Sequence, residues 1–218
     1  MKHAARSPSS SSACASDSNR RPSRRLPHRR HDAHDVERRS SRRVQWREVA
    51  RRGVPMSRVI TPREWIAQPW RNGGGVTHEI LRRSARGDVD DYDLRLSLAE
   101  VTRSGPFSTF PGYRRWSFLA DGTPIKLARD ASFELTARGD HVELPGAVAI
   151  TATLPAGPTH LFNILARVPL VAGFGPCAHP VDYVFALVAR DDLARWCLRV
   201  LDTPAAVDTA SCVWIARR

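Results

Sequence analysis

The sequence predicts an all-β fold, a sandwich or a barrel, behind an arginine-rich N-terminal segment that has no core of its own. Three observations predict it. Residues 92–99 alternate strictly between apolar and polar side chains, which marks a strand with one buried face. Short apolar runs then follow one another at spacings of about ten residues, punctuated by Gly, Pro and Asp. No long helical period intervenes, and strands in such a series close into a sandwich or a barrel.

The N-terminal segment comes first. Residues 1–43 are mostly Ser, Arg, Pro, His and Asp, with Leu26 and Val36 almost alone as large apolar residues. Such a segment cannot bury enough surface to offset the entropy of ordering it, so disorder is expected. Of the 34 basic and 22 acidic residues, 15 and 5 lie in residues 1–55, leaving 19 and 17 for the rest. Of the net charge of +12, +10 therefore belongs to the tail, and the nearly neutral remainder gives no reason to expect nucleic acid there. Three readings of the tail stand. Met56-Ser57-Arg58 reads like a fresh start, which makes residues 1–55 an upstream extension of the reading frame. A basic nucleic-acid arm is the second reading, although Trp46 is its lone aromatic and base stacking uses several. An organelle transit peptide is the third, and Pro8, Pro22 and Pro27 work against its amphipathic helix.

Cys14, Cys177, Cys197 and Cys212 form no CxxC and match no zinc spacing, as in a reduced cytosolic protein. No apolar run approaches the roughly 18–20 residues of a membrane span. Residues 1–55 also lack the apolar stretch of roughly 7–15 residues that a secretory signal needs, and none follows Arg20-Arg21 or Arg24-Arg25. A cytoplasmic location without membrane contact is expected.

Along the folded part, Ile60 ends a strand and leads into a short helical turn, with Thr61 placed to cap and Pro62 at its first position. Residues 69–75 form a tight loop built on glycine, and residues 76–81 a strand. In the alternating strand, Leu94, Leu96 and Leu98 share one face; Asp93, Arg95, Ser97 and Ala99 share the other. Residues 104–112 are a turn-rich loop holding Phe107 and Phe110. Further strands are expected at 113–120, 124–128, 132–136, 147–154 and 160–167, with turns at Asp121-Gly122, Arg138-Gly139-Asp140 and Pro155-Ala156-Gly157-Pro158. Residues 183–189, 195–200 and 212–216 complete the series; residues 191–201 suit helix or strand, and strand is preferred.

Candidate chemistry is sparse. The loop Asn72-Gly73-Gly74-Gly75 is neither a Walker loop nor a dinucleotide fingerprint. It suits an anion cradle of backbone amides or, equally, a tight turn. Glu79, Arg95, Glu100 and Asp140 are isolated ionisable groups. Arg95 and Ser97 on one strand face would suit a carboxylate if that face lines a cavity; the competing reading is the solvent face of an edge strand. His78, His141, His160 and His179 form no HxH or HxxxH pair. Residues 155–163 approach the second metal motif of cupin barrels, PxGxxHxxxN, one residue short, and the HxH half is missing, so no metal is expected.

Two segments are the most specific: Pro69-Trp70-Arg71-Asn72-Gly73-Gly74-Gly75-Val76-Thr77-His78-Glu79-Ile80 and Arg95-Leu96-Ser97-Leu98-Ala99-Glu100-Val101. Gly105-Pro106-Phe107-Ser108, Phe110-Pro111-Gly112 and Gly157-Pro158-Thr159 leading to Phe162-Asn163 follow in order. Together, across about residues 58–167, they resemble the HutD/Ves family of cupin-like proteins. The resemblance implies a bicupin, with a first cupin-like barrel over residues 56–167 and a shortened second portion over 168–218, behind the tail of residues 1–55. It implies a bacterial cytoplasmic protein linked to histidine utilisation or, through Ves, to stress. It also implies a regulator that binds a small carboxylate such as formylglutamate or urocanate, with no metal, cofactor or catalytic residue. Asn72, Gly73, Gly74, Thr77, Glu79, Arg95, Ser97, Phe107, Ser108, Phe110 and Asn163 are the expected ligand-binding residues. Arg95 would pair with the carboxylate, and Phe107 and Phe110 would form an apolar wall. A homodimer is left open. The alternatives are a cupin-type enzyme acting on a small organic acid, and a nucleic-acid-associated protein acting through the tail.

Four positions depart from the family pattern. His78 and Leu94 stand where an arginine and an aromatic are common, and Arg114 and Leu161 stand where acids are common. If these positions line the pocket, the ligand changes or binding is lost; if they are structural, they partner each other in relatives and this chain has shed the pair.

Overall fold

A computed structural model describes residues 57–84, 91–129 and 132–218; the expectations for residues 1–56 lie outside the described residues. The chain is all-β there apart from one 3-10 turn, Pro62–Glu64. Thr61 stands at the cap position, as the sequence predicts, and the Glu64 carboxylate, which the sequence reading did not single out, reaches back to accept its backbone N–H at 2.8 Å.

Strands β1 (Ser57–Ile60), β2 (Ile66–Pro69), β3 (Gly75–Arg83), β4 (Leu94–Val101) and β5 (Gly105–Pro106) come first. Then follow β6 (Arg114–Gly122), β7 (Ile125–Ala128), β8 (Ser132–Leu135), β9 (His141–Pro145) and β10 (Thr151–Thr153). The last are β11 (Thr159–Ala166), β12 (Leu170–Phe174), β13 (Val181–Ala186), β14 (Leu198–Ala205) and β15 (Cys212–Arg217). They form a six-stranded sheet in the order β2-β3-β4-β11-β6-β9, a four-stranded sheet β5-β10-β7-β8, and a five-stranded sheet β1-β14-β13-β15-β12. All pairings are antiparallel.

The six-stranded sheet is covered on both faces. Leu94, Leu96, Leu98, Phe118, Phe162 and Ile164 share one core with Phe185, Leu198, Val213 and Ile215 of the five-stranded sheet. Ala99, Val101, Leu119 and Leu161 face the other way and pack on Ile125, Leu127 and Ala152 of the four-stranded sheet. The result is a cupin-like sandwich with a third sheet added to its outer face.

The alternation in β4 is as predicted, with the leucines on one face. Its polar face is nevertheless buried: Arg95 is 9% and Ser97 3% exposed. The edge-strand reading of that face is therefore overturned, since β4 lies between β3 and β11.

The C-terminal portion differs from a barrel built of residues 168–218 alone. Its four strands form one sheet, and Ser57–Ile60, expected with the first portion, is hydrogen-bonded into it along β14 as the fifth. Four strands, β2, β5, β9 and β12, escape the sequence pattern. β9 is a half-exposed edge strand with little apolar signal. β12 contains Gly173, which reads as a breaker; here it lets the Trp214 indole lie against the backbone, where a Cβ would sit 2.5 Å from the ring. Residues 191–197 are turns rather than strand or helix, and Trp196 takes a left-handed φ of 64° before β14 begins.

Candidate functional site

The cavity-facing side of the six-stranded sheet carries two polar rows set by strand register. Glu79, Ser97, Asn163 and Ser117 stand opposite one another on β3, β4, β11 and β6. The next row holds Arg82, Arg95, Leu165 and Arg115. Antiparallel pairing places such residues side by side on one face, so a line of polar groups crosses four strands although the chain separates them widely.

Over this surface lies a cavity of ≈400 Å³. Arg95, Ser97, Thr77, Asn163 and Arg115 form its floor, and Asn72, Phe107, Ser108 and Phe110 its loop-borne walls. Trp70, Arg71, Ala99, Pro106 and Leu165 complete it. Of the residues expected from the sequence, Asn72, Thr77, Arg95, Ser97, Phe107, Ser108, Phe110 and Asn163 are thus brought together. Gly73, Gly74 and Glu79 do not line the cavity.

The glycine loop is a hairpin turn between β2 and β3. The Gly73 N–H donates to the Trp70 carbonyl at 2.9 Å, and the Gly74 N–H to Asn72 Oδ1 at 3.0 Å. Both amides are used within the loop, which makes them poor cradle donors and matches the tight-turn reading. Gly75 is required by close approach, since a Cβ there would lie 2.1 Å from the Glu100 carbonyl oxygen. The turn sets the Trp70 ring over the sheet, where its Nε1–H donates to Thr77 Oγ1 at 2.8 Å and its ring meets that of Phe107 in a T-shaped contact, centroids 5.7 Å apart.

Glu79 acts behind the cavity. Its Oε2 accepts from Arg95 Nε at 2.7 Å and Arg82 Nη2 at 2.6 Å, and its Oε1 from Arg82 Nε at 3.0 Å. Burial pushes its carboxyl up, but the hydrogen bonds and charges of Arg82 and Arg95 outweigh this and hold it below the ordinary carboxylate value. Arg95 also donates to Gln68 Oε1 at 3.0 Å. Its guanidinium is therefore fixed from behind and is not an unpaired cation.

Arg115 is different, and the sequence reading missed it. It is 8% exposed. Its guanidinium donates to Asn163 Oδ1 at 3.1 Å and Ser117 Oγ at 3.2 Å, and it lies 4.9 Å from the Phe107 ring centre. Among the described residues no carboxylate comes within ion-pair distance of it. Burial alone pulls its pKa down to about 10, so it stays charged at neutral pH. The signal was in the sequence: Arg115-Trp116-Ser117-Phe118 alternates as Arg95-Leu96-Ser97-Leu98 does.

Arg71, Arg95 and Arg115 all line the cavity, and no acidic residue among the described ones does. This arrangement suits an anion, held by charge-assisted hydrogen bonds against an aromatic wall. His160, from the near-cupin metal motif, lies three residues from Asn163 on the opposite face, its ring 5.2 Å from that of Trp196. No group of three or more His, Cys, Asp or Glu among the described residues could hold a metal ion.

The four departures all lie off the cavity. His78 packs against Trp65 on the far side of the sheet, and Leu94 is in the core shared with the five-stranded sheet. Arg114 pairs with Glu143 at the surface, and Leu161 is fully buried against the four-stranded sheet. The charge reversal at Arg114 therefore leaves the cavity unaltered.

A model of the HutD family matches residues 63–194. Over 72 residues the chain is 40% identical to an uncharacterized 21.2 kDa protein in the hutC 3' region of Pseudomonas putida, covering 33% of this chain and 37% of that one. Over 100 residues it is 33% identical to protein Ves of Escherichia fergusonii, covering 45% and 51%. The matched stretches thus span about a third to a half of these curated relatives. Among solved structures, HutD from Pseudomonas fluorescens SBW25 (formate condition) is 24% identical with a TM-score of 0.60, covering 75% of this chain and 100% of that one. A conserved protein of unknown function from Pseudomonas aeruginosa PAO1 is 23% identical with a TM-score of 0.57. These two likenesses show the fold. No helix among the described residues is long and apolar enough to cross a membrane.

Proposed function

The chain belongs to the HutD family, and from that premise we propose that it is a HutD-like regulatory protein of the cytoplasm that binds a small carboxylate of histidine degradation in a metal-free cupin-like pocket. The observation that carries this reading is Arg115, a buried cation facing the cavity with only neutral hydrogen-bond partners. An unpaired buried charge is costly, and an anion in the cavity would supply the missing partner.

Register favours formylglutamate over urocanate. Arg95 and Arg115 flank Leu165 from its two neighbouring strands, so their backbones stand about 10 Å apart. Arg115 as the charge partner and the Glu79-held Arg95 as a second hydrogen-bond donor would suit a ligand with two acid groups. Trp70, Phe107 and Phe110 would cover its aliphatic middle. Asn72, Ser97 and Ser108 would add polar contacts. The pocket holds positioned donors, and the reading is of a sensor that binds a metabolite without transforming it.

Isothermal titration of the folded protein with each compound tests this. Formylglutamate should bind at least tenfold more tightly than urocanate. No heat from either ligand, with the fold intact by circular dichroism, would sink the ligand assignment.

A further inference from the structure

A separate cavity of ≈470 Å³ opens where the six-stranded and five-stranded sheets part, at the end of their shared core. Its apolar wall is made by Leu94, Leu170 and Ile215, which belong to that core. Arg83 stands opposite Leu94 across β3 and β4 and so shares this face, and Arg82, Ser84 and Asp93 also line the crevice. Arg217 lies two residues beyond Ile215 on β15, again on the inner face. One crevice therefore joins apolar core residues to the guanidinium groups of Arg83 and Arg217, with Arg82 and the Asp93 carboxylate also in its lining.

The polar end is organised. Asp182, 4% exposed, accepts from the Arg217 backbone N–H and from its Nε, both at 2.8 Å, which fixes the side chain from one side. Arg217 keeps most of its side chain exposed at 65%. The Arg83 guanidinium lies 6.0 Å from the Tyr183 ring centre, and Tyr183 lines the crevice. Burial raises the Tyr183 pKa, so its hydroxyl stays protonated and able to donate.

We propose that this crevice is a second ligand site, distinct from the arginine-lined cavity, for a small amphipathic monoanion. The acid head sits between Arg83 and Arg217 within reach of the Tyr183 hydroxyl, and the aliphatic chain lies along Leu94, Leu170 and Ile215. The volume falls within the roughly 300–1,000 Å³ of ordinary ligand sites. Arg83 and the Asp182-paired Arg217, at one end of an apolar slot that Asp93 also lines, favour a singly charged carboxylate with a tail over a multiply charged anion such as phosphate.

Octanoate is the probe, titrated into the full chain by calorimetry, with octanol as the neutral match. Octanoate should bind at least tenfold more tightly than octanol. The R83Q/R217Q double variant should weaken it at least tenfold, and Val168→Trp, a substitution at a half-exposed position of the lining, should block it by filling the mouth. Arg115→Met should leave it unchanged. No octanoate binding at millimolar concentration, equal binding of octanol, or loss of binding in the Arg115 variant in place of the R83Q/R217Q variant would each overturn the proposal. Thermal melting of each variant confirms that it is folded. The outcome is independent of whether formylglutamate occupies the first cavity.

Discussion

Arg115 and Asn163 meet across β6 and β11, the guanidinium 3.1 Å from the side-chain amide oxygen, which also accepts from Ser117 Oγ at 2.7 Å. The amide carries no charge, so the cation is positioned by this pair but not neutralised.

Arg115→Met should therefore abolish formylglutamate binding while leaving stability within about 1 kcal/mol of the parent, because replacing an unpaired buried charge by an apolar chain of similar length is neutral or stabilising. Calorimetry and urea denaturation measure the two effects. A large loss of stability with binding retained would show that Arg115 is a structural residue.

Glu79→Ala should do the reverse. It removes the shared acceptor of Arg82 and Arg95 and leaves their charges in a largely dry site. Breaking such a buried pair costs about 3–5 kcal/mol. The midpoint of urea unfolding should fall accordingly, and an unchanged midpoint would mean that water already screens the pair.

The same carboxylate links stability to pH. Its folded pKa lies below the ordinary value, so its contribution is complete above the unfolded pKa and disappears as pH falls through the folded one. Stability attributable to Glu79 should be constant from pH 7 to about pH 5 and decline below about pH 4.3. Glu79→Gln should reduce the steepness of that acid decline by up to one proton, measured from unfolding curves at successive pH values. Identical slopes in the two proteins would exclude Glu79 as a contributor.

Gly75→Ala should cost about 1–3 kcal/mol, the usual range for forcing volume into a packed site, since the new methyl meets the Glu100 carbonyl of the neighbouring strand. Gly105→Ala is the control, because nothing lies within 4 Å of a Cβ there. Paired melting curves decide it, and equal melting temperatures would show that β3 shifts freely.

What was legible in the sequence follows a physical division. Local patterns were readable: the alternation of Leu94, Leu96 and Leu98, the cap at Thr61, and the turn at Asn72. Most of the cavity lining was readable too, because Arg95, Ser97 and Asn163 sit in segments with a distinctive family pattern. Pairing between distant strands was not. Whether the Arg95 face met solvent or a second layer depended on β4 having neighbours on both sides, and no local period encodes that. Arg115 was hidden for the same reason, since its place in the cavity depends on β6 pairing with β11, a long-range contact that local alternation does not encode. The ties of Glu79 to Arg82 and Arg95 were hidden because a side chain's partner across a sheet is set by register, and a bulge between Glu79 and Leu81 shifts that register by one residue.

The pairing of β1 with β14 has a consequence for how the molecule is made. Ser57–Ile60 leaves the ribosome before any other described strand, yet the strand it zips onto is among the last synthesised. Until then Ile60, which ends buried in the main core, has no complete surface to dock on. The C-terminal sheet can close only when synthesis is nearly finished, and a chain stalled before β14 would hold β1 without its partner strand and Ile60 without its core.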